Sequence, residues 1–529
     1  MRQFPLLASL LFCLASPAGA AAPPPGDAAV AAGKHAVASY RSALVDTLAK
    51  MVSFNTVADK NVPYESNPQH LGFKQYLKDE AARLGLDYTD HGYVMVIGLG
   101  ESDERVGVIT HGDIQPVDPS KWKKSPFELD KTSEPGRLIG RGTEDDKGPI
   151  ATAMYAMKAL KDRKLPLSKR IELYVYMAEE SDWGPLEAFL KTHRPPQLNI
   201  TLDAEYPAVT AEKGWGMVSV TVPHQAAPQP ADRPASAVAA QPANATAAAA
   251  AAAAGEPAKA PSLTAFAGGF FASQIPEDAS ATIAFATPEL EAQIRQRGAR
   301  QGGMRYSFTR QGEQLLVKAT GVSAHSSKPE DGVNAISMLA DALGVYPWPN
   351  TSAGALVHFL NEMVGTGVYG EKFGKIAYRD KFMGPMTFAP TVIRQGPDGI
   401  ALDINLRRPQ GKTEAQLSAE IREALAQWQA RRVPLAAVKV QLTEPWIQKS
   451  APQLPTLLSV FSYYTGIKNP KPIAIGGGTN SRLFPSAVSF GPTMPGAVYS
   501  GHSEHEFITV KQLLLNLEMY TAVLAELAK

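Results

Sequence analysis

The sequence of 529 residues lacks features that mark several common classes of protein. Its single cysteine, Cys13, has no partner for an internal disulfide, and the chain beyond it offers no thiolate ligand. Lysine plus arginine number 52 against 51 for aspartate plus glutamate, so there is no charge excess of the kind that binds nucleic acid or an anionic membrane surface. Any metal site must therefore use histidine, aspartate and glutamate.

The N-terminus contains an apolar run that is too short to span a membrane. Arg2 precedes apolar residues from Leu6 to Leu14, well under the ~20 residues that a spanning helix needs. The motif "AGA" at residues 18–20 then supplies the small side chains that signal cleavage requires. We therefore expect a signal peptide over residues 1–20, cleavage after Ala20, and a periplasmic or secreted protein.

The rest of the chain has the composition of a globular protein, apart from one segment. With 44% hydrophobic and 19% charged residues, a chain of this length is expected to form two or three domains. Residues 225–261 are rich in alanine and proline and hold few large apolar side chains. Because burial cannot offset the entropy of ordering such a segment, we expect a mobile insertion without a catalytic role.

Apolar runs of strand length alternate with segments of helical period. The runs "RVGVIT", "RIELYVYM" and "LNITLD" are predicted strands, whereas "GPIATAMYAMKALKDR", with Pro149 in its first turn, and "PLEAFLKTH" are predicted helices. The C-terminal "VKQLLLNLEMYTAVLAELA" also has a helical period. This alternation predicts an α/β fold with a mostly parallel mixed sheet flanked by helices.

A second domain is predicted within the chain. Residues 213–410 contain the strand-like runs "GMVSVTV", "QLLVKATG" and "GIALDINLRR" and the helix-like "VNAISMLADAL". This domain would interrupt the first, which would then comprise residues 34–212 and 411–529.

Acidic and imidazole side chains follow the predicted strands of the first domain. His111 and Asp113 come after the first strand, Glu179 and Glu180 after the second, and Asp203 after the third. Ligands of open α/β sheets bind beyond the carboxyl ends of the strands, which is where these groups fall. We therefore expect them to share one site.

Two further loops add groups of the same kind. The segment "GRGTEDDKGP" holds Asp145 and Asp146, and "GHSEHEF" holds His502 and His505; the latter lacks the G-x-S-x-G frame of a serine nucleophile. Clustered carboxylates repel one another and are costly to bury unless cations balance them. Three ligand carboxylates and a bridging hydroxide match two divalent cations in charge, and zinc, manganese and cobalt suit imidazole and carboxylate ligands.

Five segments occur in order along the chain: "HGDIQPVD", "GRGTEDDKGP", "AEES", "DAEYP" and "GHSEHEF". Together they resemble the motifs of the dinuclear zinc metallopeptidase family of aminoacylases, glutamate carboxypeptidases and carnosinases, and within it the PepV-type Xaa-His dipeptidases. The resemblance implies His111 and Asp203 on one metal ion, Glu180 and His502 on the other, and Asp145 bridging both. It also implies that the peptide bond after the bridging aspartate is cis.

The resemblance implies roles for neighbouring residues. Asp113 would fix the tautomer of the first ligand histidine, and Glu179 would act as general base. His325, in "GVSAHSSKPEDGVNA", would reach from a lid, the second domain, to stabilise the oxyanion of the tetrahedral intermediate. Glu506 is expected to orient the loop of the second ligand histidine, and His505 is either a surface residue or faces the substrate.

The resemblance also implies a site for the carboxylate of the substrate. Arg407 would clamp this carboxylate, with backbone amides around Gly477, Gly478 and Thr479, and Arg408 is a competing candidate. The segment "GGFFASQIPED" has Ser273 where an asparagine is expected in PepV-type enzymes. The resemblance therefore predicts the orientation of the substrate less closely than it predicts metal binding.

The function implied is that of an exported dipeptidase that uses two divalent ions, zinc above all, on small peptides with a free amino terminus. A lid of this size implies a monomer whose closed cavity excludes long peptides. Two alternatives stay open. One is an aminoacylase or amidase that acts on N-acyl amino acids with the same site, and the other is a non-catalytic periplasmic peptide-binding protein.

Overall fold

The computed structural model describes residues 23–224 and 259–529. Two predictions therefore lie outside the described residues: the signal peptide over residues 1–20, and the insertion over residues 225–261 except for residues 259–261. Within the described ranges, no helix is both long and apolar enough to cross a membrane.

The helices and strands are numbered in chain order. The α-helices are α1 (Asp27–Val52), α2 (Pro68–Leu84), α3 (Lys147–Asp162), α4 (Gly184–Thr192), α5 (Pro288–Gly298), α6 (Ala335–Leu343), α7 (Ser352–Phe359), α8 (Glu414–Arg431), α9 (Leu454–Thr465) and α10 (Val510–Leu527). The strands up to the second domain are β1 (Asp87–Asp90), β2 (Val94–Leu99), β3 (Arg105–His111), β4 (Arg137–Ile139), β5 (Arg170–Tyr176), β6 (Leu198–Thr201), β7 (Ala204–Glu205) and β8 (Val209–Glu212).

The remaining strands continue the same numbering. They are β9 (Gly214–Pro223), β10 (Ser262–Gly268), β11 (Gln274–Ile275), β12 (Asp278–Ala284), β13 (Arg305–Gln311), β14 (Gln314–Thr320), β15 (Ala324–His325), β16 (Arg379–Asp380), β17 (Gly384–Pro385), β18 (Thr387–Gly396), β19 (Gly399–Arg408), β20 (Ala437–Leu442), β21 (Trp446–Ile447), β22 (Ile473–Ile475), β23 (Val488–Ser489), β24 (Pro492–Thr493) and β25 (Phe507–Thr509). Short 3-10 or π turns lie at Tyr64–Ser66, Pro119–Lys121, Pro329–Asp331, Leu360–Val364 and Asn480–Leu483.

The first sheet has parallel strands at its centre and antiparallel strands at its edges. Its order is β1-β2-β5-β3-β6-β23-β8-β21, with β22 beside β8. Strand β3 runs parallel to both β5 and β6, and β6 runs parallel to β23, whereas β1, β2 and β21 pair antiparallel. The predicted α/β fold with a mixed sheet is confirmed, and the three predicted strands form β3, β5 and β6.

Helices cover both faces of this sheet. On one face α1, α2, α3, α9 and α10 share a core with the strands, and on the other α4 packs through Leu186 and Phe189 against Tyr174. Helix α3 has Pro149 in its first turn, as predicted, and its alanines are fully buried, which allows close packing on the sheet. The helices thereby fix the carboxyl edge of β3, β5 and β6.

The second domain comprises residues 214–224 and 259–442. Its sheet has the order β13-β14-β12-β10-β18-β19-β9-β20, and all of these pairs are antiparallel. Helices α5, α6, α7 and α8 pack on this sheet around a separate hydrophobic core. The domain follows β8 directly, so its first strand continues from the first sheet.

The predicted end of the second domain at residue 410 lies too early. Strand β20 pairs with β9, and the side chains of Leu417, Ile421 and Trp428 on α8 are buried in the core of the second domain. Sequence reasoning missed this because an amphipathic helix has the same period whichever sheet it covers. The first domain therefore resumes after residue 442.

Candidate active site

Three strands of the first sheet end at one edge and bring acidic and imidazole groups together there. His111 is the last residue of β3, the pair Glu179–Glu180 lies just beyond β5, and Asp203 lies just beyond β6. Because β3 lies between β5 and β6, these side chains converge above the sheet. Asp145 joins them from the turn that precedes α3.

Asp145 lies between two histidines. Its Oδ1 is 2.9 Å from His111 Nε2, and its Oδ2 is 3.2 Å from His502 Nε2. Glu180 Oε1 is 3.0 Å from His502 Nε2, and Asp203 Oδ2 is 3.8 Å from His111 Nε2. The five residues expected to bind metal therefore form one cluster, with a His111–Asp203 side and a His502–Glu180 side.

The turn that carries Asp145 is held by Glu506. The Glu506 carboxylate accepts the backbone N–H groups of Gly142, Glu144 and Asp145 at 2.9 to 3.1 Å, and Arg141 Nη1 donates to it at 2.8 Å. Glu506, four residues after His502, thus ties its own loop to this turn through three backbone bonds. The peptide bond that follows Asp145 is cis, in agreement with the expectation.

Asp113 holds two parts of the cluster at once. Its carboxylate accepts the backbone N–H groups of Glu179 and Glu180, each at 3.0 Å. His111 Nδ1 lies 3.4 Å from Asp113 Oδ1 and 3.1 Å from the backbone oxygen of Asp113. These contacts direct Nδ1 towards Asp113 and leave Nε2 for the cluster.

Burial and neighbouring charges perturb the acids of the cluster. Burial raises the pKa of Glu179 well above its usual range, and the Asp203 carboxylate raises it further. Burial also raises the pKa of Asp145, but hydrogen bonds from His111 and His502 outweigh it and hold this pKa well below its usual range. Burial and neighbouring groups therefore shift the pKa values of these two acids in opposite directions.

Divalent cations fit this donor set. Glu179 Oε1 is buried and has no hydrogen-bond partner. Ligand atoms of His111, Glu179 and Asp203 lie within 4.8 Å of one another, as do those of His111, Asp145 and Glu180. Among the described residues, no lysine or arginine forms an ion pair with any of these four carboxylates. Imidazole nitrogen and carboxylate oxygen without thiolate are ligands that zinc, manganese and cobalt accept.

Two residues that the sequence did not indicate also contact the cluster. The Tyr499 hydroxyl donates to Asp145 Oδ2 at 2.5 Å, and Gln115 Nε2 donates to Glu180 Oε2 at 2.8 Å. A single tyrosine or glutamine in a loop has no diagnostic spacing. The only available signal was position, since Gln115 lies two residues after Asp113 and Tyr499 three before His502.

The second domain contributes His325 to the cluster. The His325 ring centroid is 4.3 Å from that of His502, and His325 lines the cleft above the sheet. Burial lowers its pKa well below the usual range, and His502 lowers it further, so the ring is neutral. Because Nδ1 accepts the backbone N–H of Ser327 at 3.1 Å, the ring proton is on Nε2.

The cleft extends from the cluster to Arg407 and has a volume of about 530 Å³. Arg407 is buried and donates to Asn405, Ser326 and the backbone oxygen of Gly476, with no carboxylate partner in the described ranges. Burial and Arg482 lower its pKa to about 10, so it stays positive at neutral pH. By contrast, Arg408 lies outside the cleft and donates to Thr443, Glu444 and Lys412.

The glycine-rich loop after β22 also lines the cleft. The backbone N–H groups of Gly477 and Gly478 have no acceptor among the described residues. The expectation for Thr479 is wrong, because its backbone N–H and its hydroxyl both donate to the buried Glu212. His505 lies away from the cleft and contacts Glu134 at 2.8 Å, which favours the surface alternative.

The chain is similar to known proteins over nearly its whole length. The Beta-Ala-Xaa dipeptidase of Lactobacillus delbrueckii subsp. lactis is 28% identical over 498 residues, which cover 92% of this chain and 97% of that protein. Among solved structures, human carnosine dipeptidase 1 aligns with a TM-score of 0.54 and 14% identity over 94% of this chain and 99% of its own. The dipeptidase Dug1p of Saccharomyces cerevisiae aligns with a TM-score of 0.55 and 12% identity over 94% and 98%. At such identities these two structures show the fold alone.

The family match covers the whole cluster. The description "Peptidase family M20/M25/M40" matches residues 107–526, a range that includes every residue from His111 to Glu506 discussed above. Metallopeptidases of this family use divalent metal ions, in agreement with the ligand atoms gathered at the edge of the sheet. Since the match spans well over half of the sequence, the chain belongs to peptidase family M20/M25/M40.

Proposed function

We propose that this protein is an exported, metal-dependent dipeptidase that cleaves dipeptides with a free amino terminus. One observation carries the proposal: five ligand-type side chains meet in one cleft, beside a glutamate whose carboxylate oxygen has no partner. The Lactobacillus relative is named a dipeptidase and aligns with nearly the whole chain, which favours the same reaction here. Export is proposed from the N-terminal sequence alone.

The ligand set accommodates two ions. His111 and Asp203 would hold one ion, Glu180 and His502 the other, and Asp145 both; zinc is the first candidate, followed by manganese and cobalt. When bound, such ions act as Lewis acids and lower the pKa of water.

Glu179 is proposed as the general base. It lines the cleft, its backbone N–H is held by Asp113, and its free carboxylate oxygen can take a proton from the attacking water. Glu179 then passes this proton to the amine that leaves. His325 keeps its ring proton on Nε2 and donates it as a hydrogen bond to the oxygen on which negative charge develops.

Arg407 and the glycine-rich loop are proposed to bind the α-carboxylate of the dipeptide. Arg407 is a buried cation without a carboxylate partner in the described chain, and the Gly477 and Gly478 amides are free to donate. We propose that the second domain acts as the lid of this cleft. Because His325 and the ligand residues come from one chain, the cleft needs no second subunit, which supports a monomer.

The proposal is tested with a panel of dipeptides on protein stripped by a chelator and then supplied with Zn²⁺, Mn²⁺ or Co²⁺. At least one ion is expected to restore hydrolysis. Glu179→Gln should lower kcat by about 10²- to 10⁴-fold, because it removes the proton acceptor. Glu187→Gln, the same change at an exposed position of α4, should leave kcat unchanged. Failure of all three ions to restore cleavage would refute the proposal.

The same assay separates the two alternatives. A dipeptidase should cleave a free dipeptide much faster than its N-acetyl analogue, whereas an aminoacylase or amidase should prefer the acylated compound. A binding protein should bind peptide without turnover, and Glu179→Gln should leave its affinity unchanged.

A further inference from the structure

A short β-ribbon joins His325 to the second domain. Strand β11 pairs antiparallel with β15, and in this register Gln274 lies opposite His325. The ribbon is only two residues long on each side, so pairing within it provides few hydrogen bonds. The position of His325 must therefore depend on what else the ribbon contacts.

The ribbon is fastened to the loop that carries His502. Gln274 is 2% exposed, and its Nε2 donates to the backbone oxygen of His502 at 2.9 Å. Within the described chain this carbonyl has no other donor. The backbone oxygen of Ser273 accepts the N–H of Ser326 at 2.9 Å and lies 3.4 Å from His502 Nδ1. Ser273 and Gln274, on the side of the ribbon opposite His325, both contact this loop of the first domain.

We propose that Gln274 is a positioning residue: its side-chain amide ties the β11–β15 ribbon to the His502 loop and thereby sets the place of His325 over the cluster. The inference rests on the proposed function, in which His325 donates to the developing negative charge. Such a donor must be placed accurately, because a shift of about 1 Å can cost about a hundredfold in rate. Ser273, where an asparagine was expected, contributes through its backbone oxygen rather than its side chain.

The two domains also make contacts outside β11, which include a long bond of 3.4 Å from the Glu504 N–H to Ser323 Oγ. Lys121 Nζ lies 2.9 Å from Glu277 Oε1, and Lys328 Nζ lies 2.6 Å from Glu205 Oε1. These ion pairs flank the ribbon at separate points and hold the domains together. Loss of the Gln274 bond is therefore expected to displace the ribbon locally without opening the cleft. The rate of turnover should fall more than the affinity for substrate.

The kinetic test is a double-mutant cycle on the full-length, metal-loaded protein. Gln274→Met keeps the length of the side chain but cannot donate, and it should lower kcat by about tenfold or more with KM changed less than about threefold. In the His325→Ala background the same change should alter kcat by less than about threefold, because the group that Gln274 positions is gone. Equal effects in the two backgrounds would overturn the proposal.

The matched control is Gln453→Met. Gln453 is 1% exposed and donates to the backbone oxygens of Asn199 and Ser486, but it lines no part of the cleft. This variant should lose stability while kcat stays at the wild-type value. A fall of kcat in Gln453→Met equal to that in Gln274→Met would show that loss of any buried amide has this effect, and would overturn the proposal.

A second measurement does not depend on activity. Hydrogen exchange of the metal-free protein should speed up in Gln274→Met for peptides that cover residues 272–276 and 323–328, which include the Ser326 N–H. Peptides from β12 and β14 should keep wild-type exchange. Unchanged exchange in the ribbon would overturn the inference even if dipeptides are hydrolysed. Faster exchange in a protein that hydrolyses no dipeptide would instead refute the proposed function. The inferred role of Gln274 in tying the ribbon to the His502 loop would then remain intact.

Discussion

Asp113→Asn tests whether Asp113, which is not one of the five residues expected to bind metal, sets the metal affinity of the cluster. The two carboxylate oxygens of Asp113 accept the backbone N–H groups of Glu179 and Glu180, and His111 Nδ1 lies 3.4 Å from one of them. Asparagine keeps one acceptor oxygen and places an NH₂ group where the other oxygen was. The backbone N–H of either Glu179 or Glu180 then faces this NH₂ group and has no acceptor.

The expected loss of stability follows from the number of backbone donors that lose their acceptor. A buried donor without a partner costs about 1–3 kcal/mol, so the free energy of unfolding of the metal-free protein should fall by about that amount. The turn that presents Glu180 and the ring of His111 lose their common anchor. Loss of such an outer partner lowers metal affinity by about 10- to 100-fold.

Metal affinity is measured by competition with a chromophoric chelator, and stability by urea unfolding of the metal-free protein. The matched control is Asp130→Asn, because Asp130 is also buried and accepts two backbone N–H groups, from Thr132 and Ser133, at 2.9 and 3.0 Å. The control should lose stability and keep its metal affinity. Wild-type affinity in Asp113→Asn, or an equal loss of affinity in both variants, would refute the reasoning.

Two further predictions concern the carboxylate site and acid stability. Arg407→Met should raise KM for dipeptides by about tenfold or more, since a charge-assisted contact is lost, whereas Arg408→Met should lower stability and leave KM unchanged because Arg408 lies outside the cleft. Equal KM values in the two variants would contradict this assignment. Hydrogen bonds from Ser133, aided by backbone amides, hold the pKa of Asp130 well below its usual range, so its stabilising effect is present above the unfolded pKa of about 3.9 and is lost as the pH falls below it. The stability difference between wild type and Asp130→Asn, measured by urea unfolding, should therefore shrink below about pH 4, and a constant difference would contradict it.

The strands that carry the cluster could be predicted because their sequences are short and mostly apolar, as expected of strands buried on both faces. The runs that became β3, β5 and β6 each end on a histidine or are followed within three residues by a carboxylate, so the sheet edge and its candidate ligands followed from one pattern. The motif around His325 required the family resemblance, because a single histidine in a loop carries no periodic signal.

Contacts made by irregular loops could not be predicted in the same way. Gln115, Gln274 and Tyr499 lie in or beside loops, and their hydrogen bonds depend on where distant segments meet. The hydrogen bond from the Thr479 backbone N–H to Glu212 could not be predicted for the same reason, since the two residues lie far apart in the chain. Helix α8 was assigned to the wrong domain, because helical periodicity shows that a helix has an apolar face but does not show which sheet this face packs against.

Buried acids near the site fall into groups with different partners. Glu212 and Glu506 each form an ion pair with an arginine, and Glu144 accepts hydrogen bonds from Thr493 and Ser500 while burial raises its pKa to about 7. These acids are satisfied within the fold.

The four carboxylates of the cluster, those of Asp145, Glu179, Glu180 and Asp203, lie among histidines and neutral donors instead. No arginine or lysine in the described part of the chain pairs with them. Burying such acids in their charged form is costly unless a cation balances them, and Glu212 and Glu506 nearby each have an arginine for this purpose. This difference in partners supports the proposed role of these four residues in metal binding and catalysis.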